Sequence, residues 1–234
     1  MDAVRNSRLD LKALNKYLLI GALIIIAAGV AREVLIALTD AASSSPRLRR
    51  ISLDTENSLP AWFSSILLFF NAAALTLIAI CAKAKNERDT IYWVVLAWAF
   101  LFLSADEVAS LHERTTEPFR YALDASGAFF FAWVIPYGIG VLALGLLYAR
   151  FLLRLPRITL VWFCVAGLMY LGGAMGMDML GGVYAQEHGA DHVGYVVSMV
   201  IEETFEIVGL SVFFIALRRH LAINYGLHAI SVTR

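Results

Sequence analysis

The sequence predicts an all-α integral membrane protein, one domain over residues 1–234 built as a bundle of six transmembrane helices with both termini cytoplasmic. Three observations carry that prediction. Of the 234 residues 60% are apolar and 16% charged, against about half and about a quarter in soluble domains. The mean hydropathy is +0.71. Six long apolar runs, each near the ~20 residues that one bilayer crossing needs, take up roughly half of the chain. What remains is too scattered for a separate domain of even ~50 residues. The formal net charge is zero, so there is no overall basic field for nucleic acid. Two cysteines support neither a disulfide framework nor a Cys-rich zinc site.

The runs fall at 17–38, 60–82, 91–111, 129–151, 158–180 and 193–217. The first is clean to Ala31 and is then interrupted by Arg32 and Glu33, an expected interfacial ion pair. Its basic start and Gly29-Val30-Ala31 also have the form of a signal peptide, but five spans would distribute the charges less well. In the second run, Asn71 is a mid-membrane polar contact or a donor to a nearby site. Pro136 is expected to kink the fourth. In the fifth, Gly172-Gly173-x-x-Gly176 permits close helix contact, and Gly181-Gly182 reads as the following turn. The first loop, 39–59, contains an exposed-turn signal at Ser43-Ser44-Ser45-Pro46, and the third loop covers 112–128. Spans two and three are faintly echoed by five and six, the plan of many transporters.

Basic residues orient the bundle. Arg5, Arg8, Lys12, Lys16, Lys83, Lys85, Arg88, Arg150, Arg154, Arg157, Arg218, Arg219 and Arg234 lie on one side of a six-span arrangement. Arg47, Arg49, Arg50, Arg114 and Arg120 lie on the other. The expected setting is the cytoplasmic membrane of a bacterium, with the first group inside. Cys81 and Cys164 then fall in the inner half as reduced, buried thiols, and His220 and His228 belong to an inner tail with no role.

Two segments break the apolar pattern. The third span ends with Asp106, Glu107, Ser110, His112 and Glu113, and the sixth contains Glu202, Glu203 and Glu206. At 100° per residue, Asp106, Ser110 and Glu113 share a face about 60° wide, and the three glutamates a stripe about 100° wide that Tyr195 joins. Asp178 ends the fifth span at similar depth, and the loop 181–192 adds Glu187, His188, Asp191 and His192 without a Lys or Arg. Acids and imidazoles from four segments therefore converge on the outer half of the bilayer. Ionised carboxylates in low dielectric must be protonated, paired or metal-bound. Arg32 can neutralise only one of them.

Carboxylate oxygen and imidazole nitrogen suit iron, zinc or manganese, and facing helices of a bundle are how dinuclear carboxylate sites are built. The candidate ligands are Asp106, Glu107, His112, Glu113, Asp178, His188, His192, Glu202, Glu203 and Glu206, with Glu107 and Glu203 as candidate catalytic carboxylates. The expectation is a metal-dependent membrane enzyme, a hydrolase or oxidoreductase, acting on a membrane lipid or other lipophilic substrate. A proton- or divalent-cation-coupled transporter is the alternative, and an accessory subunit holding a structural metal within a homo-oligomer or membrane complex is the third reading.

Overall fold

A computed structural model describes residues 7–39 and 45–232. Arg5, Ser43, Ser44 and Arg234 lie outside the described residues, as does the side chain of Arg8. Among the described residues the regular structure is helical apart from two four-residue strands, β1 (Ser7–Asp10) and β2 (Ala229–Val232), which pair antiparallel with Ser7 opposite Val232. The helices are α1 (Leu11–Thr39), α2 (Pro46–Arg49), α3 (Leu59–Ala84), α4 (Thr90–Ala109), α5 (Leu111–Leu123), α6 (Val134–Leu152), α7 (Arg157–Leu171), α8 (Asp178–His188) and α9 (Val193–Tyr225). A π-helical segment, Gly172–Met177, joins α7 to α8.

Among the described residues five helical segments are long and apolar enough to cross a membrane: α1, α3, α4, α6 and the continuous run Arg157–His188. These correspond to five of the six apolar runs. The sixth, α9, spans ~50 Å at 1.5 Å per residue but carries Glu202, Glu203, Glu206, Arg218 and Arg219.

Helix α9 forms the centre of the bundle and packs on α1, α3 and α7. The buried core between them includes Leu67, Leu75, Ile78, Ile207, Leu210 and Leu217. Glycines set the closest approach. A Cβ on Gly209 would stand 2.8 Å from the Tyr170 backbone nitrogen, and one on Gly173 would stand 2.7 Å from the Glu202 carbonyl oxygen. Asn71 is fully buried and donates from Nδ2 to the carbonyls of Leu67 (2.9 Å) and Leu210 (3.1 Å), so it is the polar contact between α3 and α9. Ser65 and Ser104 exchange hydroxyl-to-carbonyl bonds of 2.8 and 2.9 Å across α3 and α4.

Several local expectations are corrected. Pro136 lies in the first turn of α6, where its missing N–H is unneeded, so it opens that helix instead of kinking it. The third loop contains the amphipathic helix α5. The fifth helical run extends to His188 because the π segment absorbs an extra residue, so Gly181 and Gly182 are buried within α8 instead of forming a turn. Cys164 is exposed on the outer face of α7 and Cys81 is half-buried. His220 is buried within α9 against Trp93, with Thr159 and Asn224 beside its ring nitrogen. It is a core histidine of the helix, not part of a tail.

Candidate metal centre

The backbone break that creates the site is at Ser110. This residue adopts left-handed dihedrals, φ 51° and ψ 44°, ending α4 and starting α5 in a new direction. The Asp106–Glu113 stretch is therefore not one helix face, as 3.6-residue periodicity implied. The turn instead folds His112 back onto Asp106. Asp106 Oδ1 accepts the His112 backbone N–H at 2.9 Å, and Oδ2 lies 3.1 Å from His112 Nδ1. Tyr137 of α6 donates to the same carboxylate at 3.1 Å. An imidazole held this way at Nδ1 presents its Nε2 lone pair, the arrangement that commonly supports a metal-bound histidine.

Nε2 lies 3.9 Å from Glu56 Oε1. One ligand atom from each of Glu56, His112 and Glu113 lies within 4.8 Å of the other two. Ligand atoms about 2.1 Å from a common ion sit roughly 3–4 Å apart, a spacing that this group approaches. Burial, followed by the charge of Glu113, pushes the Glu56 carboxyl above its ordinary range. For His112, burial opposes the charged form, but the hydrogen bond and charge of Asp106 outweigh it and hold the imidazole above its usual value.

This group forms one wall of a cavity of about 200 Å³. Glu107 of α4, Asp178 of α8, and Glu202, Glu203 and Glu206 of α9 line it as well. With Asp54, Glu56, Asp106 and Glu113 that makes nine carboxylates, joined by His112, Tyr137, Tyr170 and Tyr195 and, among the described residues, by no lysine or arginine. Asp178 Oδ2 and Glu56 Oε2 are buried without a hydrogen-bond partner among the described residues. Two acceptor oxygens left bare in this way would gain a partner from a cation.

Of the ten predicted ligands, the structure brings eight to this cavity: Asp106, Glu107, His112, Glu113, Asp178, Glu202, Glu203 and Glu206. His188 and His192 are not among its lining residues. Gly189, with φ 86°, breaks the chain between them. Their rings stack 4.5 Å apart, Tyr184 lies on His192, and His192 Nδ1 caps α9 by accepting the Gly194 N–H at 3.1 Å.

The sequence reading missed Asp54 and Glu56, which enter from the loop before α3. Tyr195 donates to Asp54 Oδ1 at 2.5 Å, and burial raises the Asp54 carboxyl above its ordinary range. Leu53 packs over Gly29, and Arg32 donates from Nε to the Leu48 carbonyl at 3.0 Å while pairing with Glu33. The available signal was an acidic Asp54-Thr55-Glu56 run following the arginines Arg47, Arg49 and Arg50 in the same loop. A family model described as Domain of unknown function (DUF8692) matches residues 17–221, from α1 to the last turns of α9. The chain belongs to that family. No curated protein and no solved structure matches it. The matched stretch holds every lining residue of the acidic cavity.

Proposed function

We propose that this family member is a membrane metalloenzyme whose acidic cavity holds divalent iron, zinc or manganese and acts on a lipid or other lipophilic substrate. One observation carries the reading: Asp106 fixes His112 so that Nε2 faces Glu56, with Glu113 in the same group, at the wall of a cavity with nine carboxylates and no lysine or arginine among its described lining residues. Glu56, His112 and Glu113 form one ligand set. Glu107, Asp178, Glu203 and Glu206, which line the same cavity, would supply oxygens to a second ion. Asp106 is assigned to orienting His112, not to ligation. A bound ion would polarise substrate oxygen or generate hydroxide, and Glu107 and Glu203 are the carboxylates suited to moving a proton beside it.

Six crossings with both termini cytoplasmic fit the same reading. Pairing of β1 with β2 puts Ser7–Asp10 and Ala229–Val232 at the same end of the bundle, as an even number of crossings would. Residues 83–88, 150–157 and 218–219 supply basic charge at that end. The cavity then opens toward the outer leaflet of a bacterial inner membrane.

Cation transport is the second reading, favoured by Glu206, which lies one turn deeper than Glu202 and Glu203. Against it, α9 continues from Glu206 through buried Ile207, Leu210, Phe213, Phe214 and Leu217, an apolar seal without an acidic exit. The test is metal analysis of the purified full chain beside Glu56→Gln and His112→Ala. Stoichiometric transition metal that both variants lose supports the fixed site. Metal-free protein that conducts protons or divalent cations in liposomes overturns the enzyme reading in favour of transport.

A further inference from the structure

Three of the five arginines assigned to the outer side, Arg47, Arg49 and Arg50, are clustered at the short helix α2. The backbone of Arg49 and Arg50 is tied by hydrogen bonds. Ser52 N–H donates to the Arg49 carbonyl at 3.2 Å and Leu59 N–H to the Arg50 carbonyl at 2.8 Å. Leu53 is 2% exposed in its seat on Gly29, and Arg32 clamps the carbonyl of Leu48. The side chains of Arg49 and Arg50 are exposed, and neither is paired with a carboxylate among the described residues.

A groove beside the acidic cavity is lined by Pro46, Arg49, Arg50, Thr55, Glu56 and Asn57. Thr55 and Glu56 belong to both linings, so the two spaces share a wall. Asn57 holds φ 57°, a left-handed conformation that lets the chain turn between them. On one side of Glu56 stand acids that need cations. On the other stand two exposed guanidinium groups on a hydrogen-bonded backbone, able to take an anion.

Resting on the metalloenzyme reading, we propose that the substrate carries a phosphate group and that Arg49 and Arg50 bind it in this groove, with the metal ligand Glu56 alongside. Guanidinium forks match phosphate oxygens bidentately, which a point charge does not. The phosphate can belong to an amphiphile in the outer leaflet or to a free anion. Both use the same two arginines, and an acyl chain adds apolar contact only in the first case.

The test uses the full chain in neutral detergent, loaded with Mn²⁺. Binding is titrated with dihexanoyl phosphatidic acid, with dihexanoylglycerol and with inorganic phosphate. Saturable binding of the phosphatidic acid, weakened about tenfold or more by Arg49→Ala/Arg50→Ala and not by Arg47→Ala, is the expected result. Equal affinity for inorganic phosphate identifies a free anion as the source, and preference for the amphiphile identifies a lipid. Binding of dihexanoylglycerol as tightly as the phosphatidic acid overturns the proposal. So does equal weakening by Arg47→Ala and the double variant, which marks diffuse surface charge. Metal content of the double variant separates the two failures. Metal retained with phosphate binding unaffected refutes the groove alone. Arginine-dependent phosphate binding by a protein that takes up no metal refutes the metalloenzyme reading alone.

Discussion

Asp106 grips His112 twice, taking its backbone N–H on one carboxylate oxygen and facing its Nδ1 with the other. A single acid thus sets both the backbone position at the α4–α5 break and the tautomer of the ring. In Asp106→Asn, the amide that replaces Oδ2 would donate to Nδ1 and move the ring proton to Nε2, the atom facing Glu56. The expected outcome is a 10- to 100-fold loss of Zn²⁺ or Mn²⁺ affinity with the fold retained, read by chelator competition. Unchanged affinity would remove Asp106 from the site's support.

The site also predicts the direction of a pH dependence. Glu56 and His112 both hold their protons to higher pH in the folded, metal-free protein than in the unfolded chain. Folding therefore takes up protons in that window, so these groups favour the metal-free fold at low pH and lose that contribution as pH rises through the raised values. A metal requires the same atoms deprotonated, so its stabilisation grows in the opposite direction. Between about pH 5 and about pH 8, Tm without metal should fall and the increase produced by Mn²⁺ should widen. A metal-induced shift that shrinks with rising pH would contradict the assigned ligands.

Glycine spacing in the helix interface gives a stability prediction independent of any metal. Gly209→Ala would put a methyl group 2.8 Å from the Tyr170 nitrogen, and backbone cannot swing aside as a side-chain end can. Gly173→Ala meets the Glu202 carbonyl in the same way. Each should cost about 1–3 kcal/mol, measured by thermal unfolding of the full chain in detergent. Gly140→Ala, which meets nothing within 4 Å, is the control.

The apolar runs were legible because bilayer length and hydropathy act on whole segments, and the start of α9 at Val193 was read to the residue. The acidic residues of α4 and α9 were legible as well, because charge inside an apolar run is conspicuous. Glu56 was not. It reaches the cavity only because Leu53 seats on Gly29 and Arg32 fixes Leu48, contacts between segments that no local pattern encodes. His188 and His192 had ligand-like spacing, but the Gly189 break and the N-cap bond of His192 direct them elsewhere. The two-strand pairing was also invisible, since four residues at each end carry almost no periodic signal.

That pairing leads to a test of topology. Arg88 lies in the turn between α3 and α4, where its side chain is 79% exposed, and neighbouring Lys85 and Glu87 bond to Asn224 and Tyr225 near the end of α9. This turn is therefore at the same end of the bundle as β1 and β2. Glu117 of α5 is also 79% exposed and lies beyond the acidic cavity at the other end. In a background with Cys81 and Cys164 replaced by serine, Glu117→Cys should react with an impermeant maleimide on intact spheroplasts. Arg88→Cys should react only after the membrane is opened. Labelling of both positions from outside would mean that the chain does not cross between them, and the cavity would lose its assigned leaflet.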